Sequence, residues 1–98
     1  MFVVLLKFSD NKASAGEFME GHNAWLRDGF ANGSFLLAGT LQPKLGGAVI
    51  ARDESREQVE ALVAADPFVV HGVVVAEIME ITPSRAAPQL QFLMEPAP

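Results

Sequence analysis

The sequence predicts an α+β domain with the element order βαββαβ, two helices laid on one face of an antiparallel sheet. Three observations predict it. Four short runs rich in branched apolar residues are separated by polar or glycine-containing breaks, as strands are. Two intervening segments carry apolar residues at helical spacing behind N-terminal capping signals. The chain has 98 residues, enough for one domain and too few for two.

Phe2 to Phe8 is the first strand, a continuous apolar run that breaks at Ser9-Asp10-Asn11-Lys12. Ser14 is placed to cap the first helix, with Glu17 three residues on completing a capping box. That helix runs to about Phe30, with Phe18, His22, Trp25, Leu26, Gly29 and Phe30 on one stripe. Asn32-Gly33, which tolerate left-handed backbone, end it. Ser34 to Leu41 and Gly46 to Arg52 form the second and third strands, joined by a hairpin loop at Gln42-Pro43-Lys44-Leu45. Ser55 and Gln58 form a second capping box, and Val59, Leu62 and Val63 mark the inner face of the second helix. Pro67 disfavours helical geometry at Asp66 and stops that helix. Gly72 to Ile81 is the fourth strand. The order is the split βαβ of ferredoxin-like folds. Residues 1–82 make the domain. Residues 83–98, with four prolines, make a tail that docks through Leu90, Phe92, Leu93 and Met94.

Two helices cover one face of a sheet only. A sheet whose other face met water would alternate apolar and polar residues. Here FVVLL, SFLLAG, AVIA and GVVVA are apolar on both sides. Half of the residues are hydrophobic, more than a monomer this short hides easily, since it buries roughly 60–68% of its unfolded surface. A second copy packed sheet against sheet is therefore expected, giving a homodimer. The tail folded back over the same face is the alternative.

The net charge is −5, and the seven basic residues are scattered without a run. Nucleic-acid binding, which needs clustered Lys and Arg, is not expected. The chain has no cysteine, which excludes disulfides, thiolate metal sites and a cysteine nucleophile. The opening MFVVLLKFSD has no basic n-region and turns polar at Ser9, so it reads as a strand rather than a signal peptide or membrane span. A cytoplasmic setting without membrane contact is the default expectation, and the sequon at Asn32-Gly33-Ser34 carries no weight in it. Gly46-Gly47 is a turn and not a phosphate loop, so no nucleotide cofactor is called for.

Two polar groups stand out. His22 lies on the apolar stripe of the first helix, four residues after Phe18 and four before Leu26. Asp66 continues the inner stripe of the second helix at its C-terminal end, where the helix dipole disfavours a carboxylate and where it gains nothing as an N-cap. Read singly, His22 is a core histidine bonded to a carbonyl and Asp66 opens a turn. Both helices pack on the same face, so the two side chains are able to meet at one pocket. A carboxylate beside imidazole fixes its tautomer and raises its basicity, which makes His22 a proton-transfer group. Trp25 is core or pocket wall. His71 is an exposed loop residue, and a metal site from His22, His71 and a carboxylate has no ligand-spacing motif behind it. Glu17, Glu20, Glu57 and Glu60 fall on solvated helix faces.

Several pieces together resemble a known family: His22-Asn23-Ala24-Trp25-Leu26 on the helix, Leu37-Ala38-Gly39, Gly46-Gly47-Ala48-Val49-Ile50, and Ala65-Asp66-Pro67-Phe68-Val69 before Gly72-Val73-Val74. In this order and spacing the chain is similar to the YciI-like (YCII-related) family from residue 1 to about residue 82. The resemblance implies a ferredoxin-like fold of the dimeric α/β-barrel group with two sheets face to face. It implies a cleft with a His–Asp pair, here His22 and Asp66. Trp25, Gly39 and Phe68 are its expected substrate contacts. Some members of that family are linked to dehydrochlorination of chlorinated aromatic diols and triols. The sequence departs from the pattern after Gly39, where Thr40-Leu41-Gln42-Pro43 replaces an immediate proline and alters the pocket mouth.

Three functions fit these residues. The first is a cofactor-independent lyase or isomerase moving a proton on a small polar or aromatic substrate. The second is a small-ligand binding module with the same pocket and no chemistry. The third is a dimerisation domain in which His22 and Asp66 are satisfied core polars.

Overall fold

The protein is described by a computed structural model, covering residues 1–52 and 55–94. Four strands form one antiparallel sheet in the order β2-β3-β1-β4, with β1 at Phe2–Phe8, β2 at Phe35–Leu41, β3 at Gly46–Ala51 and β4 at Val74–Glu80. Three helices follow the chain: α1 at Ala15–Ala31, α2 at Arg56–Ala64 and a short α3 at Pro67–Val70. This is the antiparallel α+β ferredoxin-like arrangement expected from the sequence.

The core lies between the helices and one sheet face. Phe2, Val4 and Leu6 of β1 alternate inward and are buried with Val49, Ala51, Val59, Val63 and Val74. Trp25 packs edge-on against Phe35, with ring centroids 4.9 Å apart. Gly29 lets this happen: a Cβ on it would stand 2.1 Å from Phe35 Cδ2. The β2–β3 register slips between Phe35 and Leu37, so Phe35 points into the core while Leu37 pairs with Ile50 on the open face.

Local chemistry explains most boundaries. Ser55 accepts the Gln58 backbone N–H, and the Gln58 side chain accepts the Ser55 backbone N–H, closing the expected capping box. The box expected at Ser14 does not form. Ser14 sits in helical backbone after a 3₁₀ turn at Lys12–Ser14, and its hydroxyl donates to Asn11 Oδ1 instead. Asn32 and Gly33 end α1, Gly33 with φ +85°. Phe30, placed on the buried stripe by spacing, is exposed, because it belongs to the last turn beyond the sheet edge that Phe35 fills. β4 begins at Val74 and not at Gly72, whose φ of +68° serves the turn after α3.

The open sheet face carries Val3, Leu5, Leu37, Ala48, Ile50, Val75 and Met79, with a Lys7–Glu77 ion pair at 3.5 Å. Leu37 is 59% exposed and Val75 65%. Among the described residues, the tail leaves Leu37 and Val75 of this surface exposed. It forms a 3₁₀ segment at Pro88–Met94 in which Leu90, Phe92 and Met94 stay exposed and Leu93 is half-buried. Within it, the Phe92 ring centroid lies 5.9 Å from the Arg52 guanidinium. Pro96 and Pro98 lie outside the described residues. Among the described residues, no helix is long and apolar enough to cross a membrane.

Candidate functional site: a histidine–aspartate pair beside a cavity

Asp66 is the only charged side chain in the buried set of described residues, with 0% exposure. Its position follows from the chain around it. Pro67 both stops α2 and opens α3, since proline suits a first helical position. Asp66 is therefore the N-cap of α3, and its Oδ1 accepts the Phe68 N–H at 3.0 Å. This corrects the expectation that Asp66 gains nothing as a cap. Two helices, rather than one, meet at this residue.

The same Oδ1 lies 2.8 Å from His22 Nδ1 on α1. A carboxylate only accepts, so Nδ1 carries the proton and donates. In the neutral ring Nε2 then has the free lone pair, and it takes no hydrogen bond among the described residues. The ring is held flat. Phe68 stacks on it with centroids 4.1 Å apart and planes 7° apart, and Trp25 lies 5.8 Å away. Asp66 Oδ2 is buried and has no hydrogen-bond partner among the described residues. Such an orphan acceptor costs about 1–3 kcal/mol of desolvation, a cost that packing alone would not favour.

His22 and Phe68 border a cavity of about 340 Å³ between α1 and the sheet. Leu26 and Met19 close it from α1, Leu6 and Val49 from the strands, and Gly39 lies on its wall. Of the five expected site residues, His22, Gly39 and Phe68 thus line one cavity, and Asp66 stands behind His22. Trp25 does not line it. Its indole N–H donates to Leu62 O at 2.9 Å, and the ring is part of the core under α2. Asn23, Thr40 and Gly47 also line the cavity and were not singled out by sequence. Asn23 adjoins His22, and that adjacency was the one available signal.

His71 is elsewhere. It stacks on Phe18 at 3.9 Å on the exposed surface. Among the described residues, no group of three or more His, Asp or Glu side chains is placed to hold a metal ion.

The family model of the YCII-related domain matches residues 1–83. This chain belongs to that family. Among curated proteins no sequence matches it. Among solved structures, this YCII-related chain is similar to 5-chloro-2-hydroxyhydroquinone dehydrochlorinase (TftG) from Burkholderia phenoliruptrix AC1100, in its complex with 2,5-dihydroxybenzoquinone. The match has a TM-score of 0.67 over 82% of this chain and 91% of that one, at 20% identity. At that identity the likeness shows the shared fold.

Proposed function

We propose that this YCII-related protein is a cofactor-independent enzyme of the lyase or isomerase type, moving a proton on a small polar or aromatic substrate. The observation that carries this reading is the His22 ring: Nδ1 tied at 2.8 Å to a fully buried carboxylate, one face on Phe68, and the residue on a cavity wall. His22 acts as general base or acid through Nε2, and Asp66 orients it and stabilises the imidazolium that forms. In an elimination, Nε2 takes a proton, the electron pair left behind forms a new double bond, and the leaving group departs with its own bonding pair. In an isomerisation the same proton returns to another atom. Phe68 and Leu26 supply apolar walls. The dehydrochlorinase of similar fold, solved with 2,5-dihydroxybenzoquinone, supports a small-ring substrate.

The working form in this proposal is a homodimer. Its support is the open sheet face, to which all four strands contribute apolar residues beside the Lys7–Glu77 ion pair.

The test is His22→Ala against a panel of small ring and polar compounds. The variant is expected to stay folded at some cost in stability, since Asp66 Oδ1 keeps the Phe68 N–H while losing the imidazole, and circular dichroism checks it. Turnover falls about 10²- to 10⁴-fold, the usual weight of a positioned acid or base. Undiminished turnover in that variant would end the catalytic reading. A ligand that binds tightly and returns unchanged would make the same cavity a binding site without chemistry.

A further inference from the structure

The cavity has a chemical character that the His–Asp pair does not determine. None of its 15 lining residues among those described is Asp, Glu, Lys or Arg. Lys12, whose ammonium lies 4.9 Å from the Phe8 centroid, stays outside the lining. Besides His22, only two lining side chains are polar: Asn23 on α1 and Thr40 on β2. Both are exposed, and neither makes a side-chain hydrogen bond among the described residues.

Their placement follows from register. Ala38 pairs with Val49 and Thr40 with Gly47, so Thr40 stands on the helix-covered side of the sheet. Gly47 puts no side chain beside it. Asn23 follows His22 on the helix that forms the opposite wall. Two polar groups open to solvent and to a ligand therefore flank the space that His22 borders.

We infer that Asn23 and Thr40 are specificity-determining residues, which hold the hydroxyl or carbonyl groups of an uncharged, single-ring ligand within reach of His22. This rests on the proposed proton-transfer site. An amide offers two donors and an acceptor, and a hydroxyl offers both roles, which matches hydroxyl and carbonyl substituents. A carboxylate or phosphate would lose its hydration without meeting a Lys or Arg in the described lining, and the neutral His22 ring that accepts a proton offers it no charge, which is costly. The volume of about 340 Å³ lies at the small end of ligand pockets, which run ~300–1,000 Å³. Apolar walls at Leu26, Val49 and Phe68 suit the ring itself.

The experiment is a titration of isotopically labelled protein followed by nuclear magnetic resonance, with resorcinol as the neutral probe and benzoate as the anionic one. Resorcinol shifts the Asn23 side-chain amide and the Gly39 and Thr40 backbone amides, and benzoate binds at least about tenfold more weakly. Thr40→Val, which keeps β-branching and shape, and Asn23→Ala, which suits an exposed helix position, each weaken resorcinol by about 2- to 10-fold, the worth of one neutral hydrogen bond. The inference is overturned if resorcinol does not bind, if benzoate binds as well, or if the double variant binds resorcinol as tightly as the parent. Binding is read here without turnover. Full activity in His22→Ala would remove the catalytic role and leave this one standing, whereas unaltered binding in the double variant removes this one alone.

Discussion

Asp66 Oδ1 takes two hydrogen bonds, one from the backbone of α3 and one from the imidazole of α1. Capping and orientation are thus vested in one atom. Asp66→Ala removes both. Loss of an N-cap costs about 1 kcal/mol. Stranding the half-buried His22 Nδ1–H adds about 1–3 kcal/mol. Denaturant unfolding of Asp66→Ala is expected to show a loss of about 2–4 kcal/mol, summing those two effects. Asp66→Asn keeps an acceptor for Phe68 and is expected to lose less stability. Equal stabilities for the alanine and asparagine variants would show that the cap does not matter here.

At the scale of elements, the approach of α1 to β2 depends on a missing side chain. Gly29 lies under the Phe35 ring, which in turn meets Trp25. The contact sets the height of α1 above the sheet at the Phe35 end of β2, while Ala38, Gly39 and Thr40 further along the same strand line the His22 cavity. Gly29→Ala brings a methyl into an occupied space, and Phe35 has Trp25 and Phe30 on its other sides. Overpacking of this kind costs about 1–3 kcal/mol, even though alanine is the better helix former. Thermal unfolding tests it, and a variant as stable as the parent would show that α1 rides over Phe35 without strain. The bulge before Leu37 belongs to the same contact, since it turns Phe35 inward and Leu37 outward on one strand.

At the scale of the whole molecule, the open face decides assembly. Leu37 and Val75 lie on the two edge strands, and Val3, Leu5 and Ile50 lie between them. A contiguous apolar sheet face on a chain of 98 residues is expected to be covered by a second copy. Leu37→Glu places a carboxylate in that face without touching the core under the helices. Sedimentation velocity is expected to show a dimer for the parent and a monomer, still folded by circular dichroism, for the variant. A parent that sediments as a monomer at high concentration would refute the dimer. The exposed Leu90, Phe92 and Met94 of the tail argue against intramolecular cover for this face.

The sequence by itself determined the element order, the capping box at Ser55, the helix stop at Asn32-Gly33 and the doubly apolar strands. These depend on hydrogen bonds or alternation within a few residues, so a local pattern carries them. It also marked His22 and Asp66 as polar side chains out of place on inner stripes. Tertiary structure alone decided that they meet, across 44 residues of chain, and that Asp66 caps a helix too short to leave a periodic pattern. It likewise sent Trp25 to the core rather than the cavity, and set Asn23 and Thr40 on facing walls. The reason is physical: helical spacing says which residues share a stripe. How far that stripe stands from the sheet, and so whether a residue meets core or open space, depends on contacts such as Gly29 under Phe35, which join segments distant in the chain.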